Sequence, residues 1–244
     1  MSGSAMRLVV LLQARDEERF VPGWLENVGE LVDGIIALDD GSTDSTADLL
    51  RAHPKLVELI EHAPGTEWNE RTNQIALVEA ARRHGAEWIL CLDADERLEL
   101  AFVDDARHRL DAADRDGVKV FRFDLRECWD DPCQYRSDGV WGMKKLCRLF
   151  RNDPAHRRFD PRALHRFWMP LELVAELEAV SRDTECNIYH LRMIRSEDRA
   201  ARAARYEALD PDHRYQALGY RYLTDETGIH LERIPPGRRY VPEC

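Results

Sequence analysis

Near-continuous apolar runs, separated by amphipathic stretches, organise the first hundred residues. Leu8–Leu12, Ile35–Leu38, Leu56–Ile60 and Trp88–Leu92 show little or no polar alternation. That is the pattern of strands buried on both faces. Between the first two, Phe20, Trp24, Val28, Leu31 and Val32 recur at helical spacing, with Pro22 near the first turn, where its missing N–H costs little. Asp44 is placed to cap a second helix through Leu49 and Leu50. A third runs from Arg71 to His84, with Gly85 just beyond its end. Strands apolar on both faces that alternate with helices predict an α/β fold with a mostly parallel central sheet flanked by helices, of nucleotide-binding type.

The pattern changes after Asp95. A helix through Phe102–Leu110 leads into strands at Val118–Leu125, Lys145–Phe150 and Cys186–Leu191. The intervening stretch ECWDDPCQYRSDGVWGM is rich in turn formers and aromatics and predicts a long functional loop. Ser196–Leu209 predicts an amphipathic helix on which Arg199, Arg202 and Arg205 share one face. That face is either solvated or set against an anionic membrane surface. The tail from Asp210 to Cys244 is polar.

Composition narrows the function. Of 244 residues, 44% are hydrophobic and 33% charged, which suits a globular protein with a real core. A net charge of −11 argues against a general nucleic-acid binder. It leaves room for a local basic pocket that takes an anionic small molecule. The opening residues do not read as a signal peptide, and no stretch approaches the roughly 20 apolar residues of a membrane span. Cys91, Cys128, Cys133, Cys147, Cys186 and Cys244 form no CxxC pair. They are expected to be reduced thiols in a cytoplasmic protein.

Three acidic groups follow predicted strands: Asp16 and Glu17, Asp39 and Asp40, and Asp93 and Asp95. Ligands of open α/β sheets bind outside the carboxyl ends of the strands, so all three are expected at one cleft. D-x-D also occurs at Asp114 and Asp116 and at Asp210 and Asp212, but only Asp93-Ala94-Asp95 directly follows an apolar strand. Two carboxylates held together repel unless something positive neutralises them. A hard divalent cation, Mn²⁺ or Mg²⁺, does so and keeps open positions for substrate phosphates. The structural alternative is a solvated acidic turn. Asp40 is suited to accept hydrogen bonds from a pyrimidine N–H or ribose hydroxyls, whereas Asp44 serves as a helix cap.

The motifs LQARDEERF, IIALDDGSTDST and ILCLDADERL, in this order and spacing, resemble family 2 glycosyltransferases of the GT-A fold. The resemblance covers residues 6–100 and implies nucleotide contacts for Gln13, Ala14, Arg15, Glu17 and Asp40. It also implies a metal ligand at Asp95, with Asp93 as its partner or a ribose contact. Arg71 and Asn73 fall where the family carries residues facing the nucleotide. Ala14-Arg15-Asp16 stands where Thr-Tyr-Asn is more usual, so base recognition differs in detail. CRLFRN and IYHLRMIRSEDRAARAARY are similar to a subgroup that modifies lipopolysaccharide cores. That likeness makes His190 a third metal ligand or pyrophosphate contact, unless it is a histidine packed at a strand end. The implied organisation is a GT-A domain over 1–195, with a nucleotide-binding half (1–100) and an acceptor half (101–195), followed by a helical extension over 196–244.

The implied activity is metal-dependent transfer of a sugar from a UDP- or GDP-type donor to a hydroxyl of a glycan, lipid-linked or small-molecule acceptor, with inversion. Such transfer needs a carboxylate to take the acceptor proton. The subgroup has His-Glu where this chain has His165-Arg166, so the base is sought elsewhere: Glu172 first, with Glu176 and Asp138 behind it. Arg158, Arg162 and Arg166 either meet a phosphate or balance surface charge. One rival is a sugar nucleotidyltransferase, which would carry a glycine-rich basic loop after its first strand. A phosphatase of the haloacid dehalogenase type would need D-x-D-G-T/S there. The remaining rival is a nucleotide-sugar-binding protein that has lost its base.

Overall fold

Each strand of the first half feeds two cores at once. In the computed structural model, which describes residues 6–162 and 167–244, the chain begins β1 (Met6–Ala14), α1 (Val21–Gly29), β2 (Gly34–Asp39), α2 (Thr46–Arg51), β3 (Leu56–Glu61), α3 (Glu70–Arg83) and β4 (Ala86–Cys91). These strands lie parallel in the order β3-β2-β1-β4, with Val10 between Ile35 and Leu90. Leu8, Val10 and Leu12 point into one hydrophobic layer, while Val9 and Leu11 point into the other. This double burial is why the strands read as unbroken apolar runs. Truncating a fully buried leucine here costs about 2–5 kcal/mol.

Local chemistry sets the helix ends. Pro22 occupies the first turn of α1. The Asn69 side chain accepts from Thr72 N–H to cap α3, and Gly85 follows its end at φ 70°. Asp44 precedes α2, accepting from the N–H groups of Thr46 and Glu18.

The second half continues the sheet with β5 (Glu96–Leu98), α4 (Leu100–Asp116), β6 (Val120–Trp129), β7 (Asp131–Arg136), β8 (Lys145–Arg151), α5 (Leu171–Ala175), α6 (Leu177–Val180), β9 (Ser181–His190), α7 (Ser196–Leu209) and β10 (Leu231–Arg233). β8 runs antiparallel between β4 and β6, and β9 pairs with β6 in parallel and with β5 antiparallel. The outcome is one large, curled sheet whose first half is parallel. No helix among the described residues is long and apolar enough to cross a membrane.

Four expectations differ from the structure. The stretch taken for a long loop is largely the β6–β7 hairpin, which turns at Asp130 in a left-handed conformation (φ 61°) that aspartate tolerates better than most residues. Buried Trp129 and Trp141 pack edge to face beneath it, which explains the aromatics. The six cysteines are not all thiols: Cys133 and Cys244, 111 positions apart, form a disulfide, and Cys91, Cys128, Cys147 and Cys186 are free. The arginine face of α7 is solvated only in part, with Arg205 exposed. Arg199 is buried over the Trp129 ring, paired with Asp130 and Glu226, while Arg202 and Arg205 face the cleft described next. Beyond α7 the 196–244 segment is mostly irregular rather than helical, and β10 joins the sheet through β7.

Candidate active site

The carboxyl ends of β1 and β4, the end of β9 and one face of α7 surround a cleft of about 880 Å³. Its rim begins with a latch between the loops after β1 and β2. Ser42 Oγ accepts from Asp16 N–H at 2.9 Å, Asp16 Oδ1 accepts from Thr43 N–H at 2.7 Å, and Thr46 Oγ1 accepts from Glu17 N–H at 2.7 Å. Gly41 permits the close turn, since a Cβ there would lie 2.7 Å from the Ala63 carbonyl oxygen at a φ of +79°. Asp40 is buried below, with His62 Nδ1 at 2.7 Å and Arg15 Nη2 at 3.3 Å.

The acids after β4 are held by cations from distant parts of the chain. Arg148 of β8 reaches Asp93 at 2.7 Å and Glu96 at 2.5 Å. Arg192, just past β9, donates Nε to Asp95 Oδ2 at 2.6 Å and Nη2 to Glu17 at 2.6 Å. His190 Nε2 lies 3.2 Å from Asp95 Oδ2, and its Nδ1 makes a short contact with Glu127, which sits next to it across the β6–β9 pair. Arg202 Nη1 of α7 lies 3.1 Å from Nε2 of the same imidazole.

The electrostatics follow from this placement. Burial alone would raise the Asp95 carboxyl; the charges of His190 and Arg192 overcome it and hold the group well below the ordinary carboxylate range. Burial likewise opposes ionisation of Glu127, but His190 brings it down to about 2. Burial disfavours a charged His190, yet Glu127 and Asp95 lift it to about 10, so the ring carries both protons near neutrality. Glu17 moves the other way: burial and the neighbouring Asp95 charge push it up to about 7 against the pull of Arg192.

The structure brings Gln13, Ala14, Arg15, Glu17, Asp93, Asp95 and His190 together along this cleft. Asp40 lies under Arg15 rather than on the wall. Arg71 is exposed and Asn73 is buried with Nδ2 unpartnered; neither lines the cleft, although Glu70 and Gln74 of the same helix do. The structure places Glu172, the expected base, away from this cleft. It lies outside the cleft lining, accepting from the backbone N–H groups of Arg157 and Arg158 and from the Arg158 side chain. Those bonds outweigh its burial and hold it near 2. Glu176 pairs with Lys119, and Asp138 is held to about 2, chiefly by Arg136. Arg158 and Arg162 pair with Glu172 and Asp160 as surface charges. His165 and Arg166 lie outside the described residues.

Sequence reading missed Glu96, Glu127, Arg148, Arg192 and Arg202. The ion pairs of Glu127, Arg148 and Arg192 reach 52 or more positions along the chain, so no local spacing marks them. An outer wall of Trp68, Trp168, Tyr206 and Tyr222, with Lys144 and Arg205, completes the cleft, and Arg205 lies 5.2 Å over the Trp68 ring. Among the described residues no three His, Cys, Asp or Glu side chains are gathered into a metal cage. The donor chemistry nevertheless suits a hard divalent ion: Asp93 and Asp95 offer carboxylate oxygens at the rim, and both side-chain partners of Asp95 are cations.

A curled sheet whose strand ends carry an ordered series of acids around a polar cleft defines the GT-A class of fold. The chain belongs to glycosyl transferase family 2, whose family model matches residues 10–166. Among curated proteins it is 25% identical over 238 residues to an uncharacterized protein of Mycobacterium tuberculosis, covering 92% of this chain and 57% of that one. It is 33% identical over 154 residues to a TPR repeat-containing protein of Synechococcus elongatus, covering 62% and 34%. The chain thus spans about half or less of the length of these relatives. Among solved structures, the 1–349 portion of S. aureus TarS in complex with UDP-GlcNAc superposes with a TM-score of 0.51 at 13% identity, over 91% of this chain and 74% of that one. The mannosyltransferase PcManGT from Pyrobaculum calidifontis, in complex with GDP-Man and Mn²⁺, gives 0.51 at 17% identity, over 84% and 62%.

Proposed function

We propose that this chain transfers a sugar, with inversion, from a UDP- or GDP-type nucleotide donor to an acceptor hydroxyl. The observation that carries the reading is the Asp95 carboxylate held ionised by His190 and Arg192 at the edge of a cleft that also holds Gln13, Arg15 and Glu17. In this reading the β1 loop takes the base and ribose, with Asp40 fixing Arg15 from below. Asp93 and Asp95 would hold Mn²⁺ or Mg²⁺, which when bound supplies positive charge against the departing diphosphate. Arg192, Arg202 and His190 offer N–H donors to the same phosphates. The bound ligands of TarS and PcManGT support a nucleotide-sugar donor. The aromatic and basic outer wall suits a sugar-containing acceptor, as expected for enzymes that modify lipopolysaccharide cores.

A second reading, a donor-binding protein without transfer, draws on the position of Glu172 outside the cleft. A thermal-shift panel of nucleotide sugars with and without Mn²⁺, followed by a donor-turnover assay, separates the two. A cognate donor at a hundredfold excess over its Kd adds about 2.7 kcal/mol to stability. Stabilisation with turnover supports transfer, stabilisation alone supports the binder, and no stabilisation by any nucleotide sugar overturns both.

A further inference from the structure

The turn that carries Asp93 and Asp95 is held from behind by a fully buried cation. Arg97, in β5, donates Nη1 to the carbonyl oxygens of Ala94 (2.9 Å) and Glu96 (3.0 Å), and Nη2 to that of Phe20 (3.0 Å). One carboxylate neutralises it: Glu243, at 2.8 Å from Nη2 and 3.1 Å from Nε. Glu243 belongs to a strap over residues 236–244 that lies along the back of the rim. Leu100 N–H donates to the Arg239 carbonyl, Tyr189 O–H to that of Arg238, and Asn27 Nδ2 to that of Val241, while Tyr240 stacks on Tyr189 at 4.7 Å. The helix in front leaves room for this clasp. A Cβ on Gly23 would lie 2.7 Å from both Arg97 Nη2 and Glu243 Oε1. The residue after Glu243 is Cys244, bonded to Cys133 of β7, and both cysteines are partly exposed to solvent.

We infer that Cys133–Cys244 is a redox modification site that sets the position of the Asp93–Asp95 turn through Glu243 and Arg97. With the disulfide closed, Glu243 is held on the buried guanidinium, and Arg97 keeps the Ala94 and Glu96 carbonyls in place. A dithiol reductant opens it. A thiolate of the reductant attacks one sulfur, the S–S bond breaks, and the second reductant thiol resolves the mixed disulfide. Two electrons and two protons leave two cysteine thiols, and the reductant ends as its own disulfide. Freed of that link, the strap loses its covalent hold beside Glu243, and the buried Arg97 is left to compete for solvent or for other acids. Glu243 and Arg97 are positioning residues, since neither lines the cleft.

The test reads the turn directly by amide hydrogen exchange over residues 92–98, with β1 as internal control. In the oxidised protein the segment is protected. Reduction raises its exchange about tenfold beyond any change in β1, which corresponds to about 1.4 kcal/mol of local stability. Glu243→Ala gives the same rise with the disulfide intact, so the result does not depend on how the reduced protein folds. Equal exchange in oxidised, reduced and Glu243→Ala proteins overturns the inference. A second arm titrates UDP and GDP with Mn²⁺ and rests on the proposed function. Weaker binding on reduction supports redox control of the site, and equal binding in the two states overturns it. Absence of nucleotide binding in both states refutes the donor reading, and the exchange result decides the clasp by itself.

Discussion

The rim of the cleft has two acidic stations built in opposite ways. After β2, Asp39 and Asp40 are buried among partners, Arg15, Ser42 and His62, that all lie within the first 62 residues. After β4, Asp93 and Asp95 meet charges brought from β8, β9 and α7, with a strap behind them that closes only at Cys244. The first station is a rigid shelf. The second balances concentrated negative charge against cations that a ligand can recruit, which is the arrangement expected where diphosphate charge develops.

Perturbing each station should give graded and different outcomes. The largest effect is on stability: reducing Cys133–Cys244 opens a loop of 111 residues, and the chain-entropy account assigns about 4.7 kcal/mol to a loop near that size. Chemical denaturation of oxidised and reduced protein measures it, and equal midpoints would remove the strap from the account. Next, Asp95→Asn should lower turnover about 10²–10³-fold. Circular dichroism should remain close to wild type, which separates a lost site from a lost fold. Asp40→Asn should act mainly on donor KM, raising it about tenfold with kcat retained, because it loosens Arg15 without touching the charge at Asp95. Similar kinetic profiles for the two variants would erase the distinction between the stations.

The mildest effect is a pH slope. Glu17, lifted from 4.5 to about 7, binds its proton more tightly in the folded than in the unfolded chain. Its contribution to stability is fully present below pH 4.5 and is lost as pH rises through about 7. Glu17→Gln should flatten the denaturation midpoint over that window relative to wild type. An unchanged slope would show that Arg192 keeps Glu17 ionised throughout.

The parallel half of the fold was legible because its information is local. Double burial writes continuous apolar runs at Leu8–Leu12 and Trp88–Leu92, and the acids stand one to five positions past them. The other half was less so. The β6–β7 hairpin has few of the expected alternations, because Trp129 and Arg136 are buried in a small satellite core rather than in the main one. The Arg199–Arg205 face carries charge and so reads as solvated, yet Arg199 is drawn inward over the Trp129 ring. Arg148, Arg192, Glu127 and Glu243 become site residues only when strands far apart in sequence are laid side by side. Glu172 illustrates the converse: a carboxylate in a plausible stretch of sequence that the fold commits to holding backbone N–H groups.

The account stands most directly on a crystal structure of the protein with Mn²⁺ and UDP or GDP. It predicts the ion against Asp93 and Asp95, the diphosphate within reach of Arg192 and Arg202, and the base beside Gln13–Glu17. Nucleotide density lodged elsewhere, with Asp95 still bound only to His190 and Arg192, would contradict it.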